Sequence, residues 1–127
     1  MFLPRISVAC TLVLFGASAF LAGSGCKKGP PEIVSVQNAA TQTKTVFSDA
    51  KGDVKTAADQ VADSIANSEF TSAIGRIESL SIRPDLAPEQ REALAAAQMA
   101  VMQKLRESAE SGDKQAAEFL EVHRARK

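Results

Sequence analysis

The chain has 127 residues, with 15 basic and 15 acidic side chains, 45% hydrophobic residues, and neither Trp nor Tyr. That length is one domain's worth and excludes a multidomain enzyme, while the charge balance gives no general pull toward nucleic acid or anionic lipid. Beyond residue 20 the Phe residues are Phe47, Phe70 and Phe119, so platforms for stacking bases or sugars are not expected.

The first element is an apolar leader. Met1 to Arg5 carries one positive charge, and Ile6 to Phe15 is a ten-residue run broken only by Ser7 and Thr11, the length of the hydrophobic region of a secretory signal. A membrane-spanning helix needs about 20 apolar residues, and Gly16, Ala17, Ser18, Gly23, Ser24 and Gly25 interrupt this run too early. Two cuts compete. Ala17-Ser18-Ala19 offers an ordinary signal-peptidase site that would release a chain beginning at Phe20. The alternative lies at Gly23-Ser24-Gly25-Cys26, where small residues precede a thiol and Lys27-Lys28-Gly29-Pro30-Pro31 follows as a polar tether that cannot start a helix. Removing the 25 residues before Cys26 leaves 102, with 14 basic and 15 acidic side chains and a net of −1. Cys10 leaves with the leader, so Cys26 has no cysteine to pair with in an internal disulfide.

Gly23-Ser24-Gly25-Cys26 resembles the lipobox of bacterial lipoproteins, departing from it at Gly23, where Leu is usual. The resemblance implies that Cys26 is the lipid attachment residue and, after cleavage, the N-terminus. Several acyl chains, at about 0.8 kcal/mol per buried CH2, would hold such a protein at a bilayer. In that family an Asp after the modified cysteine favours inner-membrane retention. Lys27 stands there, so the resemblance implies the outer membrane, facing the periplasm.

From Ser35 to Asn67 apolar or small residues recur in steps of four and three: Val36, Ala40, Thr43, Phe47, Ala50, Val54, Ala57, Val61, and Ser64 or Ile65. This is the seam of a long bundle helix or coiled coil, and its phase carries across Gly52 unchanged. One continuous helix is expected, the alternative being a stop and restart at Gly52-Asp53. Asn67-Ser68 then reads as a cap, followed by a second helix with Phe70, Ala73, Ile74, Ile77 and Leu80 on one stripe. Glu69 to Leu80 resembles one helix of a tetratricopeptide hairpin, but no 34-residue period follows. Pro88 is placed to open a third helix running to about Ser111, with Leu94, Ala97, Val101, Leu105 and Ser108 inward and Met99 and Met102 flanking. Gly112-Asp113 reads as a stop followed by an N-cap. The last helix carries Ala116, Phe119, Leu120 and His123 on one face and ends in Arg124-Ala125-Arg126-Lys127, whose cations suit a helix C-terminus.

The expected fold is therefore all-α: a long N-terminal helix plus helical hairpin elements forming a small bundle, preceded by a cleaved signal and a flexible tether. Residues 1–25 form the signal, 26–34 the lipidated cysteine and tether, and 35–127 the helical domain.

Little in this domain points to chemistry. Beyond the leader there is one His and one Cys, His123 and Cys26, so no transition-metal site is expected, and no catalytic residue is assigned. The chain lacks G-x-S-x-G, S-x-x-K and Gly-rich phosphate cradles. Glu89 and Glu92, one helical turn apart, read as surface charges rather than a calcium or acid–base pair. Apolar stripes at helical spacing are first of all core, and a binding site would be a groove left after packing. No cofactor is expected.

Two further resemblances bear on function. Leu86-Ala87-Pro88-Glu89-Gln90-Arg91 resembles the L-T-P-x-Q signature of small periplasmic helical chaperones of the Spy and CpxP type, with Ala87 in place of Thr, and implies an apolar concave face for unfolded clients. The Ala-rich heptads and terminal Lys127 are similar to the major murein lipoprotein, which implies peptidoglycan attachment at Lys127. Phe70 to Lys127 also resembles a pattern in short helical bacterial lipoproteins, which implies placement and no activity. The leading expectation is a lipid-anchored cell-envelope protein acting as a non-enzymatic binding or scaffold module, held to the membrane by its anchor and engaging a protein partner in the envelope. The alternatives are the periplasmic chaperone and the structural lipoprotein.

Overall fold

A computed structural model describes residues 34–127; the signal segment, Cys26 and the tether up to residue 33 lie outside the described residues. Those residues form five helices and no strand: α1 (Val36–Val46), α2 (Gly52–Ala66), α3 (Phe70–Ser81), α4 (Pro88–Glu110) and α5 (Lys114–Ala125). The all-α fold expected from periodicity is present. Among these helices none is long and apolar enough to cross a membrane.

The stretch expected to be one long helix is two. Ser35 caps α1, its hydroxyl accepting from the Asn38 N–H at 3.3 Å, and the helix stops at Phe47, whose N–H reaches the Thr43 carbonyl at 3.1 Å. The chain turns through residues 47–51 and re-enters helix at Gly52, which carries φ +61°. A left-handed residue with a Cβ costs roughly 1–2 kcal/mol, so glycine suits this restart. The turn does not change which residues face inward. Ala40, Thr43, Phe47, Val54, Val61, Ser64 and Ile65 are buried, and Val36, Ala50 and Ala57 are half-buried. Phe47, fully buried as the first residue of the turn, anchors it. The buried Thr43 hydroxyl donates to the Ala39 carbonyl at 2.8 Å, so no polar atom there is left wanting.

A second correction concerns Ser68. Rather than capping α3, it lies at φ +61° just beyond the end of α2. Its N–H donates to Ile65 and that of Glu69 to Ser64, at 3.1 and 2.8 Å, the paired closure of a Schellman motif. Glu69 precedes α3 without a side-chain cap. The same closure ends α4, where Gly112 (φ +99°) and Asp113 donate to Ala109 and Ser108 at 3.1 and 3.0 Å. There the expected stop is observed, and Asp113 caps α5 by accepting from the Gln115 and Ala116 N–H groups at 2.9 and 3.2 Å.

Helices α1 to α4 close into a ring, each packed on its sequence neighbour and α4 returning to α1. The first helix therefore packs and does not project. One core runs through the ring, built from Phe47, Val61, Ile74, Ile77, Leu80, Leu94 and Val101 with alanines between them. The stripe expected on α3 is buried at Ala73, Ile74, Ile77 and Leu80 and half-buried at Phe70, and on α4 Leu94, Ala97, Val101 and Leu105 are buried with Ser108 half-buried. Helix α5 packs along α4 outside the ring and buries only Ala116 fully.

Three substitutions test these features by urea denaturation followed by helical circular dichroism. Ser68→Gly should raise stability by about 1 kcal/mol and Gly112→Ala lower it by about as much, since a Cβ at Gly112 meets no atom within 4 Å and its cost is conformational. Phe47→Ala should cost about 3–5 kcal/mol, the usual loss for an aromatic side chain removed from a core.

Candidate functional site

Of the two residues singled out for covalent attachment, Lys127 is the one among the described residues. Cys26 lies outside the described residues. Lys127 is exposed at the end of α5, its backbone N–H donating to the Arg124 carbonyl at 3.4 Å. Glu89 and Glu92 are both exposed on the first turns of α4, and no group of three or more His, Cys, Asp or Glu converges among the described residues.

The Leu86–Arg91 segment, singled out for its resemblance to the chaperone signature, builds a corner. Leu86 is buried, and Pro88 opens α4 where its missing N–H costs nothing. Gln90 reaches back to accept from the Ala87 N–H at 3.0 Å. Ala87 has no side-chain acceptor, so only this half of a capping box forms. Arg91 donates to the Arg83 and Pro84 carbonyls at 3.1 and 3.2 Å, tying the α3–α4 link to α4. Arg83 in turn grips Asp85 at 3.1 Å and pairs with Asp53 in the first turn of α2. These hydrogen bonds and charges push the Arg83 guanidinium above its ordinary value. Hydrogen bonding to Arg83 holds the Asp53 and Asp85 carboxyls below theirs. Arg83, Asp53, Asp85 and Arg91 thus hold α2, the link and α4 together.

What packing leaves open is a set of grooves between helices. One, of about 570 Å³, runs between α2 and α3, where Gly75 and Ser79 leave room and Arg76 bonds across to Gln60 at 2.7 Å. A second, of about 420 Å³, lies beside Val36, Ala40, Ile65 and Phe70, with Lys44 and Lys104 at its edge. Both lysines are already paired, with Asp63 at 2.8 Å and Glu107 at 2.9 Å. A third groove, also about 420 Å³, separates α4 from α5. Met102, Ala109 and Leu120 line it, together with Arg106, Arg124 and Lys127.

His123 sits on the same wall. It is not a free surface imidazole: its side chain is 12% exposed, its ring stacks on Phe119 with centroids 5.7 Å apart, and Nδ1 lies 3.7 Å from Glu78 of α3. Its Nε2 is buried with no hydrogen-bond partner. Sequence reasoning placed Ala116, Phe119, Leu120 and His123 on one face of α5, and that face does meet α4. It missed Arg106, because a single Arg on a charged helix carries no mark until α5 is laid beside it.

The Arg83 corner has a pH signature. Carboxyls held below their ordinary range contribute stability that is whole above about pH 4, where the unfolded groups are ionised, and that fades as pH falls through the lowered folded values. Melting temperature measured against pH should show Arg83→Gln below the wild type at neutral pH, with the two curves converging in acid.

Neither a family model, nor a curated protein sequence, nor a solved structure matches this chain.

Proposed function

We propose that this chain is a lipid-anchored cell-envelope protein whose helical bundle is a non-enzymatic binding or scaffold module. The observation that carries the reading is the placement of Cys26. It stands where an apolar leader ends behind Gly23-Ser24-Gly25, and a charged, proline-containing tether follows it. Nine steps of chain separate Cys26 from Ser35, the cap of α1, and fully extended they reach about 30 Å. An anchored Cys26 would keep the bundle within that distance of the bilayer, near the outer-membrane surface facing the periplasm, where a protein partner could be met. The grooves left between the helices, lined by apolar and charged side chains, support a binding role. The exposure of Lys127 supports a second reading, in which the C-terminus is joined to peptidoglycan.

Intact-mass measurement of the protein extracted from its native membrane tests both at once. The expected mass is that of a chain beginning at Cys26 with acyl chains attached. A chain that begins at Phe20 and partitions into water would overturn the anchor. A muropeptide adduct on Lys127 would establish the second reading, and a free C-terminal lysine would exclude it.

A further inference from the structure

The groove between α4 and α5 combines three features. Its floor is apolar, made by Met102, Ala109 and Leu120. Its rim carries Arg106, Arg124 and Lys127, and among the described residues none of the three lies within ion-pair distance of a carboxylate. Glu110 is the one acidic side chain lining it, against these three cationic ones. At the wall stands His123, whose buried Nε2 has no partner while Nδ1 faces Glu78. Separate surface cations are worth little in water. Three converging beside an apolar floor focus a positive potential on one spot, and an arginine fork matches a carboxylate or phosphate head with paired hydrogen bonds.

We propose that this groove binds a single-chain anionic amphiphile, its carboxylate or phosphate head held by Arg106, Arg124 and Lys127 and its hydrocarbon tail lying over Met102, Ala109 and Leu120. The size fits: about 420 Å³ falls in the range of small-molecule sites, about 300–1,000 Å³. An acidic helix from a protein partner would lay apolar anchors over several turns. The floor on α4 runs only from Met102 to Ala109, about 10 Å at the helical rise. The site is independent of the anchor, standing whether or not Cys26 is acylated.

The test uses the full chain in phosphatidylcholine nanodiscs, with methyl-labelled methionine. Met102 lines the groove, whereas Met99 is 44% exposed and is not among the lining residues, so the two methyl signals separate specific from general binding. Octanoate and octyl phosphate are titrated against octyltrimethylammonium and inorganic phosphate. At least one of the two anionic amphiphiles should shift the Met102 methyl saturably and leave Met99 in place, and the tighter of them identifies the head group. The Arg106→Gln/Arg124→Gln double variant should bind at least tenfold more weakly with its helical spectrum unchanged, Arg124→Gln alone should weaken binding to a lesser degree, and Arg76→Gln, outside the groove, should bind as the wild type does. Added salt should weaken the interaction. The proposal is overturned if octyltrimethylammonium binds as well as the anions, if inorganic phosphate alone gives the full Met102 shift, or if Met99 moves in step with Met102. It is equally overturned if the arginine variants bind unchanged or if neither anionic amphiphile binds.

Discussion

The packing of α4 is the constraint on which the rest of the domain depends. It touches α1, α3 and α5, and a single 23-residue helix can serve three neighbours only if its side chains allow each of them to come near. Ala93, Ala97 and Ala100 alternate with Leu94, Val101 and Leu105 along its buried positions. Ala39, Ala40, Ala58, Ala62 and Ala73 supply small side chains on the other helices of the ring. Small residues let helices approach, but each buries little apolar area. The energy of the core is therefore concentrated in a few larger side chains, Phe47, Ile74, Ile77, Leu80, Leu94 and Val101 among them, and the alanines set the distances at which those few interlock.

The polar corner at Arg83 complements that apolar core. The link, residues 82–87, has Pro84 at its centre with no N–H to give and a backbone bond from Arg83 to Leu80 at 3.2 Å, so side chains do much of the work. Arg91 satisfies two link carbonyls, and Arg83 spans from the link to α2. Side chains this exposed add modestly to stability. Their effect is directional: they fix where α4 begins, and hence which of its faces meets α1.

Much of the inner surface was legible in the sequence, since period and burial share one cause. Every seam position from Val36 to Ile65 lies buried or half-buried. The break at residues 47–51 was not legible as the leading expectation, because the apolar spacing runs through the turn without a change of phase. Gly52 was the one residue whose chemistry marked it. Ser68 misled for a different reason: a serine before a helix suggests a cap, and nothing in its side chain announces a left-handed backbone. Gly112 announced the same geometry plainly, because glycine enters it freely. The α4–α5 groove was only half legible. The apolar face of α5 followed from spacing, but the meeting of Arg106 with Arg124 and Lys127 is made by two helices laid together, and no local pattern encodes it.

The ring also gives the chain an order of dependence. Each helix packs on its sequence neighbour, and only the contact of α1 with α4 closes the circle. Local contacts of this kind form quickly, yet they leave the inner face of α1 without its second cover until α4 arrives. A chain stalled or cut within the α3–α4 link would hold three helices with their apolar stripes half bare, a species prone to self-association. A chain cut after Glu110 would lose only the helix outside the ring. Proteolytic damage to this protein would therefore be unequal: a nick near Pro84 divides the ring itself, whereas one near Gly112 severs only the helix that flanks it and carries half of the cationic groove.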